Sequence, residues 1–108
     1  MVQNLLMQSW ITTNDNRLSN ILEIKNYRRS FIESFHKNDT ELQNKLINAT
    51  NDINLQSIRI HKFITHNGII GKVSFARFLS TINLDEQTRL IELNISNIED
   101  IVNFIENI

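Results

Sequence analysis

Cysteine and proline are absent from this chain of 108 residues, and glycine occurs only at Gly68 and Gly71. Without cysteine there is no disulfide framework, no thiolate nucleophile and no sulfur ligand for a metal. Proline and glycine punctuate tight turns, so their scarcity argues against a β-sandwich and for helices joined by short polar connections. No stretch approaches the ~20 consecutive apolar residues of a membrane span. The opening residues, Met1 to Ile11, are apolar but broken by Gln3, Asn4, Gln8 and Ser9, and carry no positive region of the secretory kind. Three sequons, at Asn38, Asn48 and Asn94, are what chance supplies in so asparagine-rich a chain. The expectation is a cytoplasmic protein with no membrane association.

What is present is ordinary globular material. Hydrophobic residues make up 41% and charged residues 21%, enough apolar surface to order the chain. No repeat and no Gly/Ser/Pro linker divides it, so residues 1–108 read as a single helical domain. Asparagine and isoleucine recur throughout, a bias that reflects AT-rich coding of the kind found in low-GC bacteria and phages.

Helix-start signals give the segmentation. Thr40-Glu-Leu-Gln43 and Ser96-Asn-Ile-Glu99 read as capping boxes, and Asn83-Leu-Asp-Glu86 as a variant led by asparagine. They predict helices beginning near 40, 84 and 97, with acidic residues in the first turns of the last two, where the helix dipole favours negative charge. Arg17 to Lys37 reads as the longest helix, with a broad apolar face of Leu18, Ile21, Leu22, Ile24, Tyr27, Phe31, Ile32 and Phe35. A shorter helix before it would align Val2, Leu6 and Trp10. The stretch 57–79 has two readings. Its β-branched residues and the Asn67-Gly68 pair fit a single β-hairpin. The same pair can instead end a helix with Gly68 left-handed, and the helix-loop-helix reading is preferred because an isolated hairpin is marginal. The fold class is mainly α, a small multi-helix bundle.

Charge is unevenly spread. The first 52 residues balance, residues 53–84 hold Arg59, Lys62, Lys72 and Arg77 with no acid, and residues 85–108 hold six acids against Arg89 alone, for a net charge of −1. A basic segment interleaved with Phe63, Phe75 and Phe78 is raw material for nucleic-acid binding, since cations neutralise phosphate and aromatic faces stack on bases. The plainer reading packs the phenylalanines inward and turns the cations toward the acidic C-terminal region. The chain as a whole is not basic, which disfavours a dedicated nucleic-acid protein. A helix-turn-helix with its reading helix after Asn83 would push Asp85 and Glu86 toward phosphate.

Neither metal nor catalytic chemistry finds its residues. Gly71 to Phe78 superficially resembles the exit of an EF-hand loop, but the ligand positions then fall on His66, Gly68, Ile70 and Arg77, none of them a carboxylate. His36, His61 and His66 are poorly spaced for zinc. The acid pairs Asp85/Glu86 and Glu99/Asp100 are neighbours that diverge on a helix, and no nucleophile elbow or phosphate-binding glycine loop is present. The reading is a non-enzymatic protein without cofactor.

Toward the C-terminus, Ile91, Ile95, Ile98, Val102 and Ile105 recur at alternating spacings of four and three. This seam can follow one helix or cross a break near Asn94–Ser96, and Leu90, Leu93, Ile101, Phe104 and Ile108 widen it. Such spacing lets one helix bury a stripe against another. With Trp10, these five residues are the candidate contact with a protein partner or a second copy of the chain, and the acidic residues are its rim. The function expected from sequence is therefore a small interaction module, such as an accessory subunit, adaptor or inhibitor, with a phage-type modulator of a host polymerase or defence complex as one form. The alternative is a nucleic-acid-binding subunit using Arg59, Lys62, Lys72 and Arg77.

Overall fold

The computed structural model describes residues 17–108. Among them are five α-helices: α1 (Arg17–Glu33), α2 (Leu42–Thr50), α3 (Ile60–Thr65), α4 (Lys72–Thr81) and α5 (Ile95–Glu106), with one 3-10 turn at Leu90–Glu92 before α5. The mainly helical expectation holds. The short helix expected around Val2, Leu6 and Trp10 lies outside the described residues.

Each central helix is held by the apolar positions that its period brings to one side. Leu42, Leu46 and Ala49 of α2 are buried, as are Phe75 and Leu79 of α4 and Ile98, Ile101, Val102 and Ile105 of α5. With Phe63 and Ile64 of α3 and Leu90 of the 3-10 turn they form one hydrophobic cluster. Burying such a side chain is worth about 1.5–3 kcal/mol. Packing of this kind is what sustains α3, since six residues are too few for a helix to persist alone.

All six phenylalanines serve as joints between helices. Phe31 stacks on Phe63 at 4.4 Å and Phe35 meets Phe63 edge-on at 5.4 Å, which ties the end of α1 to α3. Phe78 stacks on Phe104 at 4.3 Å, with Phe75 at 5.9 Å from Phe104, which ties α4 to α5. Of the broad face expected along α1, the buried residues lie toward its C-terminal end and just past it. Ile32 and Phe35 are buried and Ile24 is half-buried, whereas Ile21, Leu22 and Tyr27 are exposed.

No hairpin forms around Asn67-Gly68. Gly68 is left-handed at φ 79° just past α3, and its N–H donates to the Thr65 carbonyl. A side chain there would meet no neighbour, so the backbone angle is what calls for glycine. The β-like composition of residues 57–60 has another outlet. Residues 56–60 run antiparallel to 88–91, with backbone hydrogen bonds from Ile60 to Thr88, Leu90 to Ile58 and Ile91 to Gln56, and a bridge between Arg59 and Arg89.

Two expected helix starts move and one disappears. The helix near 40 begins at Leu42 without a side-chain cap, and Asp39 rather than Thr40 accepts the Glu41 N–H. The helix near 97 begins two residues earlier. Asn94 accepts from the Asn97 N–H at 2.7 Å while the Asn97 side chain accepts from the Asn94 N–H at 3.0 Å, so the box joins two asparagines and not Ser96 with Glu99. No helix starts at 84. Asn83, at φ 64°, closes α4: its N–H donates to Ser80 and that of Leu84 to Leu79, the paired bonds of a Schellman motif. Asp85 then accepts from the Gln87 N–H and holds a turn.

Candidate functional site

The C-terminal seam is divided by the break at Leu93–Asn94. Ile91 lies in the 3-10 turn and Ile95 opens α5, and both are exposed, at 48% and 53%. Ile98, Val102 and Ile105 point into the chain's own core, with Val102 only 8% exposed. A continuous five-residue stripe on offer to a partner is therefore corrected to two isoleucines. The other three belong to the hydrophobic cluster that α5 shares with α2. Trp10 lies outside the described residues.

The basic segment places its cations outward and its aromatic rings inward. Arg59, Lys62, Lys72 and Arg77 are all exposed. Phe63 and Phe75 are fully buried, and Phe78 is partly covered by Phe104. The rings that would stack on bases are thus committed to the core. The cations do not turn onto the acidic C-terminal helix either. Among the described residues the ionic contacts are Lys45 with Asp39, His61 with Glu86 and Arg89 with Glu92.

His61 is the one histidine with a defined role. Its Nε2 lies 2.9 Å from the Lys72 carbonyl oxygen, which can only accept, so Nε2 carries the proton and joins α3 to the start of α4. The Glu86 carboxylate stands 3.7 Å from the same nitrogen. Among the described residues no three histidine or carboxylate side chains gather in a way that could hold a metal ion. No helix among them is long and apolar enough to cross a membrane.

Polar contacts also anchor α1. The Tyr27 hydroxyl donates to Asp52 Oδ2 at 2.6 Å, and Arg28 donates to Ser57 Oγ at 2.9 Å. The bond to Asp52, with burial and the carboxylate charge adding to it, raises the Tyr27 pKa above that of a free phenol. Lys45 donates to Asp39 Oδ2 at 2.6 Å, which holds the Asp39 carboxyl below its usual range against the opposing effect of burial.

A feature not anticipated from sequence is a groove where the C-terminal ends of α4 and α5 meet. Phe78, Ile82, Phe104 and Ile108 form its apolar walls and Asp100, Asn103 and Asn107 its polar edge, around a volume of about 400 Å³. The available signal was the pair of four-residue spacings, Phe78 to Ile82 and Phe104 to Ile108, at the ends of two helices. Each puts an aromatic and an aliphatic residue on one side of its helix. The chain matches no protein-family model, and comparison with curated proteins and with solved structures found no match.

Proposed function

We propose that this chain is a small, non-enzymatic protein-interaction module: an accessory subunit, adaptor or inhibitor that docks to a larger complex in the cytoplasm. A phage-type modulator of a host polymerase or defence complex is one form of it. The observation that carries the reading is the exposure of Ile91 in the 3-10 turn and of Ile95 at the first position of α5, with Glu92 and Glu99 close to them in sequence. Exposed apolar side chains with acidic residues near them in sequence suit a contact whose affinity comes from apolar burial and whose orientation comes from charge. The test is capture of the tagged chain from its own host beside an Ile91→Ser/Ile95→Ser variant. The variant is expected to melt as the parent does and to lose the copurifying partner, or the dimer on size exclusion. A variant that keeps its complex overturns the reading.

A second reading has one observation in its favour. Arg59, Lys62, Lys72 and Arg77 stand exposed, and no ion pair among the described residues engages them. A nucleic-acid-binding subunit would use them on phosphate, and its retention on an immobilised oligonucleotide would collapse as salt releases its counterion advantage. Docking through Ile91 and Ile95 would survive the same salt.

A further inference from the structure

The groove between α4 and α5 combines two features that identify an occupant. Its floor is apolar: the stacked rings of Phe78 and Phe104, flanked by Ile82 and Ile108, of which Ile108 is 53% exposed. Its one charged lining residue is an acid. Asp100 stands at the edge, half-buried, with no ionic partner among the described residues. From Leu90 to Ile108 the chain carries Glu92, Glu99, Asp100 and Glu106 and no lysine or arginine. The groove also lies at the C-terminal ends of two helices, and neither has a basic residue in its last turn. A helix C-terminus carries the negative pole of its dipole, which favours a cation beside it. At about 400 Å³ the space exceeds what one aliphatic side chain fills and suits an apolar anchor with its neighbouring residues.

We infer that this groove receives a basic amphipathic segment of a partner protein, an apolar side chain resting on Phe78 and Phe104 while a neighbouring lysine or arginine sits against Asp100. The inference rests on the docking function proposed above and names a second contact of that function, on α5's far end from Ile91 and Ile95. Complementarity of this kind is helix-in-groove recognition, in which apolar anchors give affinity and flanking charge gives direction.

The experiment uses the full chain, isotopically labelled, and a synthetic helical peptide of leucine and lysine in amphipathic order, beside a counterpart with glutamate in place of lysine. The leucine–lysine peptide is expected to bind saturably, with the largest amide shifts at Phe78, Ile82, Asp100, Phe104 and Ile108. The glutamate peptide is expected not to bind. Asp100→Asn and Ile108→Ser, both outside the buried core, should each weaken binding by about fivefold, the range of a single partly exposed ionic or apolar contact. Ile53→Ser, which removes an exposed isoleucine elsewhere, should leave it unchanged. Binding by both peptides alike, or full affinity in Asp100→Asn, overturns the proposal. Saturable binding with shifts centred on Ile91 and Ile95 overturns the groove and leaves the docking function standing. Absence of peptide binding also overturns the groove, while the Ile91→Ser/Ile95→Ser capture decides the docking function by itself.

Discussion

A hydrogen bond donated to a carboxylate favours a phenol only while the phenol keeps its proton, and Tyr27 makes such a bond to Asp52. It is the only tyrosine in the chain, so an ultraviolet titration reads it directly. The phenol should ionise above the ordinary value of about 10, and Asp52→Asn should bring it back toward that value. The contact steadies the fold below the usual tyrosine range and is lost as the pH rises through the raised pKa. Asp39 has the opposite sign. Its carboxyl is lowered by Lys45, so the stabilisation is present above the ordinary carboxylate range and disappears as the pH falls through the lowered value. Asp39→Asn should therefore cost about 1 kcal/mol in denaturant melts at neutral pH, and the difference from the parent should vanish in strong acid.

At the scale of the element, the start of α5 separates two registers that look alike in sequence. If the reciprocal box joins Asn94 and Asn97, Asn94→Ala should destabilise the chain by about 1 kcal/mol and Ser96→Ala should leave the melting curve in place. The existence of five of the expected segments was legible because apolar period, polar connections and missing prolines agree. Their boundaries were less so, for a physical reason. Asparagine caps a helix at its start and tolerates a left-handed backbone at its end, and Asn83 met the first description while performing the second. The antiparallel pairing of 56–60 with 88–91 was not legible, since its partners lie some thirty residues apart and nothing local marks one for the other. The exposed half of α1 was misread because an apolar stripe shows what a helix can bury, and only the neighbouring elements decide whether it does.

For the whole molecule, the division of the C-terminal seam makes one substitution decisive. Val102→Asp puts a charge without a partner inside the cluster shared by α2 and α5, and it should unfold the chain, at a cost of several kcal/mol, in a thermal melt followed by size exclusion. The exposed pair Ile91 and Ile95 should be replaceable without that loss. The seam was half legible: spacing grouped five residues, but the 3-10 turn and the break before α5 leave two of them exposed and three in the core. The groove between α4 and α5 depends on how two distant helix ends converge, which spacing alone cannot place. A last consequence concerns how the molecule ages. Asn67 precedes Gly68, a dipeptide that loses its side-chain amide when the following backbone nitrogen attacks it. Here that nitrogen donates to Thr65, the amide oxygen accepts from Ile69, and the amide nitrogen donates to Phe35, just beyond α1. While the chain is folded, the attacking nitrogen and both polar atoms of the amide are held in hydrogen bonds. Once it reacts, a carboxylate replaces the donor and faces the Phe35 carbonyl, so the tie becomes a repulsion. Chemical wear at one loop residue is thereby linked to the anchorage of α1, and prolonged storage should loosen that helix before the others.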